Sequence, residues 1–107
     1  IMAAPLVSVP ARVKRGEIFE VKTLVAHPME TGFRPGLNGT LIPRDIVQRL
    51  VCRYDGAQVI DLALSPAIAA NPYVLIYVRA TRSALIELEW SGDNGFSASH
   101  SVAVAVE

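Results

Sequence analysis

Apolar and polar residues alternate along most of the chain with the two-residue period of a β-strand. In each alternating segment one face is apolar and the other mostly polar, which is typical of a strand half buried in a sheet. The predicted strands of this kind are Phe19 to Val25, Ile46 to Tyr54, Val59 to Leu64, Leu85 to Trp90 and Ser101 to Val106. No segment of about ten or more residues has a helical period, so the chain is predicted to be all-β.

Two further segments depart from this alternation. Tyr73 to Val78 is almost continuously apolar, which predicts a strand that lies centrally in a sheet with both faces covered. Val7 to Val13 alternates more weakly and is interrupted by Pro10. Because proline cannot donate a backbone hydrogen bond, we expect an edge strand there.

Turn sequences separate the predicted strands. Asp55-Gly56 supplies the positive φ angles of a type I′ turn, so the flanking strands should form a hairpin. The segment Gly92 to Gly95 marks another turn. Short strands with turns at intervals of roughly 8–12 residues predict an immunoglobulin-like β-sandwich of about seven antiparallel strands. A length of 107 residues leads us to expect a single domain, residues 1–107.

Composition narrows the classes of partner. The chain is 51% hydrophobic and 19% charged, and its ten basic residues balance ten acidic ones. This favours a folded core over disorder and provides no basic excess for nucleic acid. No run approaches the roughly 20 apolar residues that span a bilayer, and Ile1 to Pro5 lacks the features of a signal peptide. Taken alone, these features favour a cytoplasmic location. They predict no binding to nucleic acid and no insertion into a membrane.

A long irregular segment, His27 to Ile42, separates the second and third predicted strands. It is rich in proline and glycine but also contains Met29, Phe33 and Arg34. Irregular loops of more than about 12 residues are uncommon in compact domains and are often functional. We therefore expect the working surface of the molecule here.

Cys52 is the single cysteine, and it lies between Leu50 and Tyr54 on the apolar face of a predicted strand. A buried free cysteine behaves as a small hydrophobic residue, and apolar surroundings raise the pKa of its thiol. We expect Cys52 to be structural rather than reactive.

A copper site is an alternative that the residue types leave open. His27, Met29, Cys52 and His100 include the ligand types of a small copper-binding β-sandwich. Copper sites of this class bring Cys, His and Met together on one loop, whereas Cys52 has no such neighbours in the sequence. Ligand types without ligand spacing are weak evidence, and we expect no cofactor.

Charged pairs on the predicted strands favour a solvated surface. Glu87 and Glu89 share one face, as do Arg49 and Arg53. Paired carboxylates or an anion site are conceivable, but alternation of this kind is also what an exposed strand face shows. No catalytic constellation can be assembled from the residues, so we do not expect an enzyme.

The segment His27 to Arg34, His-Pro-Met-Glu-Thr-Gly-Phe-Arg, resembles the His-x-Met-Glu-Thr-Gly-x-Arg signature of the SoxZ family. The resemblance continues in order over nearly the whole chain. Its further landmarks are Gly39, Ile42-Pro43, Gly56, Ala67 to Tyr73, Trp90 and Asp93-Asn94-Gly95. Gly36 departs from the acidic residue expected in many relatives, which affects the shape of the loop more than the family assignment.

The resemblance implies a function as well as a fold. SoxZ proteins are immunoglobulin-type sandwiches that pair with SoxY, whose cysteine on a flexible C-terminal arm carries sulfur intermediates during thiosulfate oxidation. The segment Val104 to Glu107 contains no cysteine, which fits the non-catalytic partner rather than the carrier. The resemblance also implies a periplasmic location, with export together with the partner, and transient contacts with other Sox enzymes.

Two regions are candidate contacts with the SoxY-type subunit, because aromatic, methionine and arginine side chains are enriched at interfaces. The candidate residues are His27, Met29, Glu30, Thr31, Phe33, Arg34, Asn71 and Tyr73. Which face meets the partner, and how the isolated chain associates, are left open by the sequence.

Overall fold

The computed structural model describes residues 5–65, 68 and 70–107, which contain eight β-strands and one short 3-10 turn at Asp93–Gly95. The strands are β1 (Leu6–Ser8), β2 (Arg12–Val13), β3 (Ile18–Leu24), β4 (Val47–Tyr54), β5 (Ala57–Ala63), β6 (Tyr73–Arg79), β7 (Ala84–Gly92) and β8 (Ser97–Val106). Residues 1–4, on which the expectation about a signal peptide rests, and Ala67 and Ala69 of the family landmarks lie outside the described residues.

The strands form two sheets, ordered β1-β3-β6 and β2-β8-β7-β4-β5. Their inner faces enclose a core in which Val21, Leu50, Ile86, Leu88 and Trp90 are at most 1% exposed. The predicted all-β, immunoglobulin-like sandwich is therefore confirmed. The described residues form eight strands where about seven were predicted, and their pairs are antiparallel except for β2–β8, which is parallel.

The N-terminal segment divides at Pro10 between the two sheets. Residues before it form β1 on the edge of the three-stranded sheet, and residues after it form β2 on the edge of the five-stranded sheet. Proline lies where the chain crosses from one sheet to the other, so its missing N–H interrupts neither ladder. The predicted edge position is confirmed, although one weak strand has become two short ones.

The hairpin predicted around Asp55-Gly56 is confirmed. Asp55 and Gly56 have φ angles of 54° and 78°, and Tyr54 pairs with Ala57 across the turn. At the other end of β4, a shift of register between Val47 and Arg49 marks a β-bulge. The bulge breaks the alternation predicted for this strand, so that Gln48 is exposed rather than on the buried face of Leu50.

The position predicted for β6 is wrong. Among the described strands it pairs only with β3, so it lies at an edge and not in the centre of a sheet. Its inner residues Ile76 and Val78 are buried, but on its outer face Tyr73 is 59% exposed and Tyr77 is 64% exposed. In the isolated chain, therefore, only one face of β6 is covered, although its sequence is apolar at nearly every position.

Candidate functional site

A buried histidine lies near the start of the segment between β3 and β4. The side chain of His27 is 3% exposed, and its Nδ1 accepts a hydrogen bond of 3.0 Å from the backbone N–H of Met29. Its Nε2 lies 3.5 Å from the carboxylate of Asp45, and its ring packs edge-on against Phe96. Both ring nitrogens therefore face neighbours within the chain.

Met29 is the second buried residue of the predicted contact set. It is 5% exposed and has a φ angle of 53°, and its Sδ accepts a hydrogen bond from the N–H of Val47 at 3.2 Å. The left-handed backbone turns this side chain inward onto the start of β4. The side chains of His27 and Met29 are packed inside the isolated chain, where they shape the loop. Their contact with a partner stays a prediction.

Glu30 and Arg34 hold the next part of the loop in place. The backbone of Glu30 exchanges two hydrogen bonds with Asp45, at 2.7 and 2.8 Å. Its carboxylate accepts two hydrogen bonds from the guanidinium of Arg34, which hold the pKa of Glu30 below its usual range. The hydroxyl of Thr31 accepts a hydrogen bond from the N–H of Phe33. These contacts fix the direction in which the chain leaves the sandwich.

The following residues form a small projecting turn, which we call the finger (residues 33–42). The N–H of Ile42 donates to the carbonyl of Arg34 at 2.9 Å, and Pro35 and Leu41 form an antiparallel bridge. Two large apolar side chains of the finger point to solvent: Phe33 is 80% exposed and Leu37 is fully exposed. The most exposed apolar side chains of the segment predicted to be the working surface therefore lie on this finger.

The second predicted contact region adjoins the start of the loop. Asn71 accepts a hydrogen bond from the N–H of His27 at its Oδ1 and donates its own N–H to the carbonyl of His27, at 2.9 and 2.7 Å. Asn71 has a φ of 53°, a conformation that asparagine tolerates better than most residues. The structure thus joins the two candidate regions at one end of the sandwich, two residues before Tyr73.

Tyr73 lies at one end of a larger exposed apolar surface that was not predicted from the sequence. It stands beside Leu24 of β3, which in turn stands beside Leu6 of β1. We use the name outer apolar face for the apolar residues on the solvent side of the three-stranded sheet. They are Leu6, Ile18, Leu24, Tyr73, Leu75 and Tyr77. The signal for it was present in the apolar run from Tyr73 to Val78, which was interpreted as a central strand.

The outer face of the five-stranded sheet has the opposite character. The guanidinium of Arg49 donates to the carboxylate of Asp61 at 2.7 Å, and that of Arg53 donates to Glu89 at 2.9 Å. These pairs are exposed, which confirms the expected solvated face for Glu89. Both arginines have carboxylate partners, so neither presents an uncompensated positive charge to an anion.

The sole thiol of the chain is inaccessible. Cys52 is 0% exposed, and burial raises the pKa of its thiol to about 11. The prediction that Cys52 points into the core is confirmed. A thiol of this kind is a poor nucleophile at neutral pH because little thiolate is present.

The copper alternative requires several ligand side chains that lie close together. In the described part of the chain, no group of three or more His, Cys, Asp or Glu side chains lies close enough to hold a metal ion. The Nδ1 of His27 and the Sδ of Met29 already accept backbone hydrogen bonds. Within the same residues, no helix has the length and apolar character needed to cross a bilayer.

Comparison with known proteins gives a family and a fold. Residues 7–103 match the family described as sulphur oxidation protein SoxZ. A superoxide reductase (neelaredoxin) from Ignicoccus hospitalis is similar in structure with a TM-score of 0.71 and 17% identity, over 99% of this chain and 82% of that one. The sulfur carrier protein SoxY from Chlorobium limicola f thiosulfatophilum has a TM-score of 0.68 and 13% identity, over 98% and 80%. No curated protein sequence matches significantly. At these identities the solved structures show a shared fold.

Proposed function

Because the chain belongs to the SoxZ family of sulphur oxidation proteins, we propose that it is the non-catalytic subunit that binds a SoxY-type carrier and presents it to the enzymes of thiosulfate oxidation. The observation that carries the proposal is the family match, which runs from β1 into β8 and so includes both sheets. In this proposal sulfur intermediates stay on the cysteine of the partner.

The chemistry of the chain supports a binding role. Its single thiol is buried with a raised pKa, so it is a poor acceptor for sulfur. Its solvent-side surface instead offers large apolar side chains on the finger and on the outer apolar face. Exposed apolar patches of this kind mark sites of protein association in soluble domains.

The proposal includes a place of action. A SoxZ-type subunit works in the periplasm, where it is exported with its SoxY-type partner, and it contacts the other Sox enzymes transiently. Fractionation of cells that express both chains would test this, and recovery of the complex in the cytoplasm alone would contradict it.

Co-expression with a SoxY-type subunit tests the binding role. We expect one peak in size exclusion with the two chains in equal amounts, and intact-mass analysis should place any added sulfur on the partner. Elution of the two chains as separate species would overturn the proposed function. Stoichiometric copper in the purified chain after reconstitution would instead support the copper-binding alternative.

The finger, which includes Arg34, is proposed as a contact with the partner or with the enzymes, and Glu30, Thr31 and Asn71 belong to the same proposed contact set. We expect the double variant Phe33→Ala/Leu37→Ala to lower either partner affinity or reconstituted thiosulfate oxidation by about tenfold, because two exposed apolar anchors are lost. Val59→Ala, an exposed apolar position on β5, is the control. Full binding and full activity in the double variant would remove the finger from the interface.

A further inference from the structure

We propose that the outer apolar face of the three-stranded sheet is the docking face for the SoxY-type subunit, packed sheet against sheet. This inference rests on the proposed function and adds to it the surface that does the binding. The face is distinct from the finger, because its residues lie on β1, β3 and β6 rather than on the loop between β3 and β4.

The sequence of β6 is typical of a strand that is covered on both faces. Strands that are apolar at nearly every position have both faces covered, yet the isolated chain covers only the face that carries Val74, Ile76 and Val78. Tyr73, Leu75 and Tyr77, on the other side, are 59%, 37% and 64% exposed. A partner that covers this side would give the strand the environment for which its sequence is suited.

The outer apolar face is large enough to form the centre of a protein interface. An aromatic side chain has roughly 150–250 Å² of surface, so the two tyrosines together expose on the order of 200 Å². The aliphatic residues, among which Leu6 is 66% and Ile18 59% exposed, bring the apolar area to the order of 500 Å². A stable interface buries about 800 Å² on each partner, with an apolar centre and a polar rim. The face therefore supplies the centre of such an interface.

The charges around the face favour a protein sheet as its occupant. Glu20, Lys22 and Arg79 stand among the apolar residues, and Glu20 pairs across the sheet with Tyr77 while Lys22 pairs with Leu75. Tyrosine and arginine are enriched at protein interfaces, whereas Glu20 and Lys22 require opposite charges on the partner. The charges of this face produce no field of one sign that would attract nucleic acid or an anionic membrane.

The known fold of the carrier indicates how it would pack. The SoxY structure shares this fold over 98% of the present chain, so we expect a SoxY-type partner to offer a sheet that corresponds to the three-stranded one. Two such sheets pack face to face at about 10 Å with nearly aligned strands, as the layers of a sandwich do. The outer face of the five-stranded sheet is less suitable, since its two arginine–carboxylate pairs would have to be desolvated and none of its described residues is a tyrosine, whereas the outer apolar face carries fewer charges among large apolar side chains.

A pair of leucine variants tests the assignment. Leu75→Glu places a charge in the outer apolar face, and Leu85→Glu places the same charge on the outer face of the five-stranded sheet, where Leu85 is 49% exposed. We expect Leu75→Glu to raise the dissociation constant for the SoxY-type subunit by roughly 100-fold or more, because binding would have to desolvate the new carboxylate, which is costly even beside Lys22. Leu85→Glu should change it by less than about threefold.

The outcomes separate the inference from the proposed function. If the wild-type chain does not bind the SoxY-type subunit, both are overturned. If the wild type binds and Leu75→Glu binds equally well, only the docking face is overturned. If Leu75→Glu abolishes self-association of this chain but leaves binding of the carrier unchanged, the face belongs to a second copy and the inference is also overturned.

A milder variant guards against misfolding of Leu75→Glu. Tyr77→Ala removes an aromatic side chain that is 64% exposed, so the fold should tolerate it, and circular dichroism with a thermal midpoint would verify this. We expect a loss of affinity of about tenfold or more, as for aromatic residues at the centre of an interface. Unchanged affinity in a folded Tyr77→Ala protein would contradict the assignment.

Discussion

The hydroxyl of Tyr54 joins the end of β4 to the loop between β6 and β7. It accepts hydrogen bonds from the N–H groups of Thr81 and Arg82, at 3.1 and 3.0 Å, and donates to the carbonyl of Arg82. Tyr54 is 6% exposed, and its ring packs edge-on against Phe19. One side chain therefore links both sheets and fixes a loop that has no regular structure.

Tyr54→Phe should lower the free energy of unfolding by about 1–3 kcal/mol, because two backbone donors and one acceptor lose their partner while the ring stays in place. Urea denaturation measures the change. Tyr77→Phe, whose side chain is largely exposed, is the matched control and should change stability by less than about 0.5 kcal/mol. Equal stability of the two variants would mean that the hydroxyl of Tyr54 contributes nothing.

Cys52 should resist alkylation in the native state. With a pKa of about 11, on the order of one thiol in a thousand is ionised at pH 8, and burial also blocks the reagent. We expect iodoacetamide to label the native chain at least about 100-fold more slowly than the chain in urea, as followed by intact mass. Rapid labelling without urea would show that the thiol is accessible.

At the scale of residues, sequence reasoning succeeded where the neighbours along a strand decide the environment. Cys52 lies between Leu50 and Tyr54 on an alternating segment, which was sufficient to place it in the core. His27 and Met29 could not be placed in this way, because their burial depends on contacts with Asp45, Val47 and Phe96. Those contacts are distant in sequence and occur in a segment without a period.

Among the elements, the junction between β7 and the following turn depends on the absence of a side chain at Gly92. Its φ of −168° is ordinary extended backbone, so the constraint at this position is space. A β-carbon there would overlap the carbonyl oxygen of Ile46 and come within 2.9 Å of the Cα of Val47. The bulged start of β4 thus packs directly on the backbone of β7.

Gly92→Ala should destabilise the fold by roughly 1–3 kcal/mol or more, because backbone atoms cannot move aside as the end of a flexible side chain can. Thermal and urea denaturation measure the effect. Ser91→Ala, one residue earlier and exposed, is the control and should be close to neutral. If Gly92→Ala were as stable as Ser91→Ala, the close approach of β4 to β7 would have to be relaxed in solution.

The elements that the sequence predicted well are those with local determinants. The hairpin β4–β5 follows from the Asp55-Gly56 turn, and alternation located β3, β7 and most of β8. The bulge in β4 and the parallel pairing of β2 depend on which strand becomes the neighbour, and no local signal specifies that. The position of β6 was predicted wrongly. Apolar residues on both sides of a strand indicate that both faces are covered, but they do not show what covers them.

For the whole molecule, arginine–carboxylate pairs determine the response to acid. Guanidinium hydrogen bonds hold the pKa values of Glu30, Asp61 and Asp93 below their usual ones of 4.5, 3.8 and 3.8. A carboxyl group whose pKa is lower in the folded state stabilises the fold above its unfolded pKa, and this contribution is lost as the pH falls through the folded value. The stabilisation from these three carboxylates should therefore be complete at neutral pH and decline below about pH 4.5.

Asp93 should account for a measurable part of this decline. Its carboxylate accepts hydrogen bonds from Arg44, Gln48 and the backbone N–H of Ile46, and so joins the loop to β4. We expect Asp93→Asn to lower the urea midpoint at pH 7 and to flatten its fall between pH 5 and pH 3. Glu89→Gln, which alters an exposed pair, is the control, and an Asp93→Asn curve parallel to the wild type would contradict the role of this carboxylate.

The parallel pairing of β2 with β8 has a mechanical consequence. Backbone hydrogen bonds from Ala105 to Ala11, from Glu107 to Val13 and from Arg15 to Glu107 tie β2 and its flanking residues to the end of β8. In a parallel pair, tension applied to the start of β2 and the end of β8 acts along the strands in opposite directions, so these bonds share the load in shear instead of opening one after another. A sandwich held between two moving proteins would resist pulling along this axis at a force set by the joint rupture of these bonds.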